Sequence, residues 1–357
     1  MLVAQNSPYY NDMGLILGVS NYLGDIGGLQ KTAQPFLYDM KLAKTKWATG
    51  LFFRTLVAKS KDKAGRRSNV YSQGVQSLWL RTNFQYLRIE GDDKLSTNPG
   101  RMYRNLNFIN DLYSLETVFD YYFYTSKKFG SSQLSWLFSP YLFSGVGIYY
   151  HNPKALYKGS YIELQPLKTE GVAYSNVGMS IPIGLGLQFI FKPTRSKATH
   201  KLGIEFNWRY TFTDYLDDIS SKWINPKNQW SATSIALSNR TPELGDAVDP
   251  GFAKNYGWQD DGNGNNLNMA PRGDPNDKDS YLTLNITYTY SKGRTSSFIP
   301  GLSRPLTKLM ERMSSKTGPK MHLYALIVYR KDFLKNFGLF NVKSFHLNFF
   351  KFIGRSF

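Results

Sequence analysis

Residues 202–213 read LGIEFNWRYTFT, with Leu202, Ile204, Phe206, Trp208, Tyr210 and Phe212 on one parity and Gly203, Glu205, Asn207, Arg209, Thr211 and Thr213 on the other. Side chains of an extended chain alternate between two faces, so this is a strand with one apolar face and one polar face. The polar face holds both an acid and a base. The pattern returns at 281–290, where Leu282, Leu284, Ile286, Tyr288 and Tyr290 oppose Tyr281, Thr283, Asn285, Thr287 and Thr289. Such strands suit a barrel that turns its apolar side outward to lipid. A tyrosine-rich soluble β-sandwich is the alternative.

Composition favours the barrel. Aromatic residues make up 16% of the 357, with 25 Tyr and 24 Phe, yet mean hydropathy is only −0.40. A membrane barrel combines these properties, because half of each strand is polar and aromatic girdles mark both interfaces. No apolar run approaches the ~18–20 residues of a membrane-spanning helix, since even IPIGLGLQFIF is short and broken by glycine. Cysteine is absent, which excludes thiol chemistry and cysteine-based metal sites. At the start, Leu2, Val3 and Ala4 followed by Gln5 read as the end of an apolar signal region and its cleavage site. Residues 1–12 are therefore expected to be a signal remnant and N-terminal segment, with a plain N-terminus as the alternative.

Eight segments read as strands, at 13–20, 46–58, 77–90, 107–125, 136–150, 176–192, 201–213 and 280–291. Most are long enough for the ~9–11 residues a tilted barrel strand requires, and an even number closes an antiparallel barrel. The expected fold is an all-β, antiparallel, outer-membrane β-barrel over 13–291, followed by a basic extension at 292–357. The inward parity collects Arg54, Arg81, Glu116, Asp120, Glu205 and Arg209, three of each sign. Buried charges persist when paired, so these six are expected to form an ion-pair network in a plugged lumen.

Long links at 20–45, 91–106, 151–175 and 214–279 alternate with the short links 126–135 and 193–200, which with their flanks carry Lys127, Lys128, Lys192, Arg195 and Lys197. Long outer loops and short inner turns are the outer-membrane pattern. The link 59–76 breaks it, being long and basic (Lys59, Lys61, Lys63, Arg66, Arg67). The segment from Lys292 onward holds thirteen Lys or Arg against Glu311 and Asp332, more than half of the chain's net charge of +18.

No catalytic motif stands out. HExxH, GxSxG and P-loop patterns are absent, and His151, His200, His322 and His346 are scattered. Residues 261–265, DGNGN, begin like a calcium loop with Asp261, Asn263 and Asn265. Asn266 and Arg272 then stand where the glycine and the bidentate Glu belong, so the run reads as a turn. No metal and no cofactor are expected. Glycine pairs at Gly145/Gly147 and Gly184/Gly186 lie inside strands, where they read as glycines facing a crowded lumen. The acid pairs Asp92/Asp93 and Asp217/Asp218 are candidates to bind a cation or serve as acid and base, and equally to cap loops or to pair with Arg101 and Arg104.

Several strand-end phrases carry a family resemblance: GVSNYLGDIGG (18–28), IEGDD (89–93), RNLNF (104–108), SPYLFSGVGIYYHNPKA (139–155), ELQPLKTEG (163–171), IPIGLGLQF (181–189) and RYTFTDYLDDIS (209–220). Together, over about 13–291, they resemble the PorG-type outer-membrane β-barrel family of Bacteroidetes. That resemblance implies a non-enzymatic barrel in the outer membrane that anchors periplasmic ring subunits of a type IX secretion system. Its partners would be outer-membrane lipid and those subunits, with no nucleic acid and no small-molecule substrate. The family pattern marks Asn21, Tyr22, Gly24 and Asp25; Gly91, Asp92 and Asp93; Arg104 and Asn105; and Asn152 and Pro153. It further marks Glu163–166, Thr169, Glu170 and Gly171, and 213–218 with Asp214, Tyr215, Asp217 and Asp218. These positions are expected to pack loop on loop into a cap. The basic segment from 292 departs from the pattern.

Two other functions compete. A small porin requires an open lumen. An outer-membrane lipid hydrolase requires a Ser–His arrangement, for which His151 beside Tyr149 and Ser144 is the candidate. A nucleic-acid binder would rest on the basic extension alone.

Overall fold

The computed structural model describes residues 3–4, 11–27, 40–60, 70–131, 134–193, 199–221, 231–247 and 272–291. The basic runs at 61–67, Arg195 and Lys197, the DGNGN turn at 261–265, most of the 1–12 segment and the extension from 292 lie outside the described residues.

Eight long strands form the body: β1 Asn11–Leu23, β2 Lys46–Lys59, β3 Ser77–Asp92, β4 Asn107–Tyr122, β5 Leu134–Tyr150, β6 Val177–Pro193, β7 Thr199–Thr211 and β8 Ser280–Ser291. Each pairs antiparallel with the next. β8 then pairs back onto β1, from Tyr281 opposite Tyr22 to Ser291 opposite Asp12. The sheet is thus a closed up-and-down barrel, which leaves none of the eight with an open edge. Strand bounds lie within three residues of those read from alternation. β1 runs beyond Ser20 and takes in Asn21 and Tyr22. β4 stops short of Thr125, whose hydroxyl turns to the Val75 carbonyl at 3.0 Å.

The two faces are inverted relative to a soluble protein. Leu17, Leu51, Leu185, Ile204 and Ile286 are exposed, while Arg54, Arg81, Glu116, Asp120, Lys201 and Arg209 are buried. Burying charge and exposing leucine is what a lipid environment selects. Leu282 departs from the pattern, being buried on the outward parity. Near one end the apolar band meets a cross-strand aromatic row, with Trp47 on Tyr86 at 4.9 Å and Tyr86 on Tyr113 at 5.2 Å between ring centres. One step further along β3, Arg88 grips Asp111 through two bonds of 2.7 and 2.9 Å, and the Tyr86 hydroxyl donates to the same carboxylate at 2.6 Å. The other end carries Phe129 stacked on Trp136, with Phe189 beside it. Aromatic girdles of this kind mark membrane–water interfaces.

At that second end the link 59–76 explains its length. Its described part turns back over the mouth: Gly74 N–H donates to the Thr125 carbonyl at 2.9 Å, and Val70 and Tyr71 pack on the cluster of Trp79 and Tyr122. At the first end the loops hold structure that alternation does not reveal. A hairpin, Pro153–Tyr157 with Ser160–Glu163, follows β5 and pairs with the start of β4 at Ile109 and Asn110, and α1 (Pro99–Arg104) and α2 (Ala232–Ser238) lie in the loops. The Asn98 side chain accepts the Gly100 N–H, and Pro99 opens the first turn of α1, which ends where Asn105 takes a left-handed φ of 56°.

Candidate functional site

The lumen is filled by a network of eight charged side chains. The Arg54 Nε donates to Asp12 at 2.7 Å, and Lys201 Nζ reaches the same carboxylate at 2.5 Å. Arg54 also donates to the Tyr122 hydroxyl at 2.5 Å and to Gln188 at 3.0 Å. Arg81 bridges Asp120 at 3.1 Å and Glu205 at 2.6 Å. Arg209 donates to Glu116 and Gln85, both at 2.5 Å, and to Thr283 at 2.8 Å. The six residues read from the sequence all lie here, joined by Asp12 and Lys201, so the balance is four cations against four anions. Aromatic rings face the guanidinium groups: Phe143 lies 4.8 Å from Arg81, and Trp79 lies 5.1 Å from Arg54. Each cation therefore has at least one carboxylate partner and an aromatic wall, the condition under which buried charge is tolerated, although Arg81 Nη2 is buried without an acceptor.

Glycines make room for this filling. Tyr141, Phe143 and Tyr149 on β5 stand opposite Gly186, Gly184 and Gly178 on β6. A methyl group at any of the three would lie within 2.6 Å of the opposing ring. Phe52 lies against Gly14 in the same manner. Beneath the mouth, Tyr71, Trp79, Gln188 and Lys201 line a cavity of about 10 Å³, the room of about one water molecule.

At the first end the loops close over the barrel through carboxylates. Asp93 accepts both arms of Arg104, at 2.7 and 2.9 Å, and the backbone N–H groups of Gly27 and Leu106. Arg104 also donates to the backbone oxygens of Asp25, at 2.8 Å, and Arg272. Arg272 in turn pairs with Glu170 at 2.8 Å, and Glu170 accepts the N–H groups of Ser220 and Ser221. Thr169 and Tyr174 donate to Asp218 at 2.5 and 2.7 Å. Tyr215 stacks on Tyr174 at 4.6 Å. Tyr22 sits at the centre, its hydroxyl 2.7 Å from Asp217 and 2.5 Å from Asp279. Gly24 has no room for a side chain because the Tyr22 hydroxyl and Asp279 occupy it.

Burial pushes these acids upward. Asp25 and Asp218 rise to about 6 and Asp214 to about 7, while Asp217 and Asp279 stand well above the ordinary carboxylate range. The other marked residues lie at the margin. Asn21 donates to the Lys41 carbonyl and Thr45, and Asp92 pairs with Lys44 at the rim instead of Arg101 or Arg104. Gly91 abuts the Phe108 ring, and the side-chain amide of Asn105 reaches the Arg240 carbonyl. Asn152 joins Glu163 on the hairpin, the Pro153 carbonyl accepts Leu164 N–H, and Gly171 turns with a φ of 72°.

His151 is buried, with Nε2 3.0 Å from the Ser175 carbonyl and Nδ1 3.5 Å from the Asn110 amide. Burial lowers its pKa to about 4. Ser144 lies on the lipid-facing parity of β5, so it and His151 do not form a nucleophile–base pair. Among the described residues no three His, Cys, Asp or Glu converge as metal ligands.

A family described only as a domain of unknown function, DUF6089, matches residues 1–235, nearly two thirds of the chain. The chain belongs to the DUF6089 family. The matched stretch carries β1 to β7 and the loop residues through Asp218; β8 and its lead-in, with Arg272 and Asp279, lie beyond it. No curated protein matches this DUF6089 chain. Among solved structures it is similar to the crystal structure of the outer membrane enzyme PagL, at 12% identity over 78% of this chain and 97% of that one, with a TM-score of 0.23. So distant a likeness says nothing about the site.

Proposed function

We propose that this DUF6089 protein resides in the outer membrane as a closed, non-conducting and non-enzymatic barrel that anchors other proteins, and that its partners are periplasmic ring subunits of a type IX secretion system. The observation that carries the non-conducting part is the lumen. Arg81–Glu205 and Arg209–Glu116 cross it, and Tyr71 with Val70 covers one mouth. Solute passage would require these buried pairs to separate. The anchoring role is supported by the resemblance to the PorG-type family in the strand-end phrases. The capped end, with the long loops, would face outward, and the end bearing Lys127 and Lys128 would face the periplasm.

The test is affinity purification of the tagged full-length protein from detergent-solubilised envelopes, with mass spectrometry of what accompanies it. Recovery of type IX ring subunits supports the anchoring role. A clean monomer that conducts ions steadily in a planar bilayer overturns it and makes the protein a channel.

A further inference from the structure

The contacts of Tyr22 contain one proton more than the ordinary charge states supply. Its hydroxyl lies at hydrogen-bond distance from two carboxylate oxygens, Asp217 Oδ2 at 2.7 Å and Asp279 Oδ1 at 2.5 Å, and it already accepts the Asp25 N–H at 3.1 Å. A phenol has one hydrogen and can donate it to only one of them. The other contact, oxygen to oxygen, is attractive only if that carboxyl carries a hydrogen of its own. The remaining oxygens of both acids are occupied by backbone donors, Ile219 N–H on Asp217 and Leu216 N–H on Asp279.

We propose that Asp217 and Asp279 share one proton across the Tyr22 hydroxyl, making the cap a proton-held clasp that loosens as the medium turns alkaline.

Among the described residues no cation forms an ion pair with either acid, although Arg104 lies within electrostatic reach of Asp217. From the segment after β1 comes Asp25, whose carboxylate accepts Asp274 N–H. The segment after β7 adds Asp214, of which one oxygen is buried without a donor and lies 4.0 Å from the partly exposed Lys278. The segment before β8 contributes Arg272, committed to Glu170, together with Asp274 and Asp277. From the α1 side, Arg104 is committed to Asp93, and Arg101 lies near Asp25 and Asp277. Glu170, Tyr174 and Asp218 close the third side. Among the described residues acids thus outnumber the bases, and burying an unpaired carboxylate is costly enough that the group binds a proton instead. A metal ion in place of the proton is disfavoured by the phenol between the acids and by the lack of three converging ligands among the described residues.

The folded-state pKa values of both acids are raised by burial first; Asp25 and Asp214 then raise Asp217, and Asp217, Asp214 and Asp25 raise Asp279. A raised acid contributes stability that is complete below its unfolded value of about 4 and is lost as the pH climbs through its folded value. Asp25, near 6, and Asp214, near 7, add to the same trend.

The experiment is hydrogen exchange of the full-length protein in lipid vesicles, reading residues 212–221 and 272–279 across pH after correction for intrinsic rates. Protection of these segments is expected to fall with rising pH, by about tenfold per unit for each proton released. In Asp279→Asn the amide supplies a permanent donor to Tyr22, so the fall is expected to shrink by one proton's worth and alkaline protection to increase. An unchanged slope in that variant, or protection that responds to calcium and chelator rather than to pH, overturns the proposal. Should the variant fail to assemble, the infrared spectrum of the unmodified protein decides. A carboxylic-acid C=O band that persists above about pH 8, where Asp25 and Asp214 are ionised, and vanishes on unfolding supports the shared proton, and its absence overturns it.

Discussion

Arg81 on β3 and Glu205 on β7 meet at 2.6 Å from opposite walls of the barrel, four strands apart in either direction round the ring. Two long side chains therefore span the lumen, as the narrow interior of an eight-stranded barrel requires. The pair is held on every side. Asp120 takes the Nε of Arg81, the Tyr141 hydroxyl donates to Glu205, and the rings of Phe143 and Phe52 lie 4.8 and 5.7 Å from the guanidinium.

Removing one partner of this pair is expected to cost more than removing both. Arg81→Met or Glu205→Leu alone leaves a buried charge without its counterpart, a loss of about 3–5 kcal/mol, whereas the double variant recovers a large part of the sum. A double-mutant cycle of urea unfolding in lipid vesicles measures this. Strict additivity would mean that water reaches the pair and that the lumen is open.

Lipid contact is tested on the outward parity. Ile286 and Leu185 are 62% and 57% exposed. Ile286→Arg is expected to destabilise the inserted barrel by about 2–4 kcal/mol if it lies near the bilayer midplane, and by much less if it lies toward an interface. On the surface of a soluble sandwich the same change would stay within about 0.5 kcal/mol. Equilibrium folding into vesicles, compared between Ile286→Arg and a rim variant such as Arg88→Lys, distinguishes the two environments.

The fold was legible because each strand faces two media at once, and a period of two sustained over 202–213 leaves little choice of architecture. The lumen charges were legible for the same reason. Asp12 was not singled out because it stands just before the first strand as read, 13–20; Lys201 opens its strand, where an alternation count has just begun, and shares the parity of the recognised inward residue Glu205. The glycine–aromatic partnerships depend on register between β5 and β6, which no single strand encodes. The centre of the cap was hidden by distance along the chain: Tyr22 is 195 residues from Asp217 and 257 from Asp279. Loop phrases pointed to Tyr22 and Asp217, but Asp279 precedes β8 without a distinguishing pattern.

Arg104 organises the cap by shape as well as charge. Its planar fork places two nitrogens on Asp93 while still reaching two backbone oxygens. Arg104→Lys keeps the charge and loses the fork, so cleavage of the loops by a protease added to intact vesicles is expected to rise about tenfold or more, matching a charge-assisted bond of about 1.5–3 kcal/mol. The barrel itself should keep its unfolding midpoint in urea within a few tenths of a molar unit, since Arg104 lies outside the strands. Loss of barrel and cap together would show that the loops fold as one unit with the strands.

Gly186 is expected to be intolerant of even a methyl group. A Cβ there would lie 2.4 Å from the ring of Tyr141. That ring cannot yield freely, because it stacks on Tyr122 at 4.5 Å and its hydroxyl is tied to Glu205. Gly186→Ala should therefore displace Tyr141 and weaken the Arg81–Glu205 crossing as well, at a cost of about 1–3 kcal/mol for overpacking. Shrinking the ring relieves the clash, so Gly186→Ala combined with Tyr141→Val should be more stable than the sum of the single effects predicts. Urea unfolding of the four proteins in vesicles measures the coupling. If the two changes simply add, Tyr141 does not rest on Gly186, and glycine at this position needs another explanation.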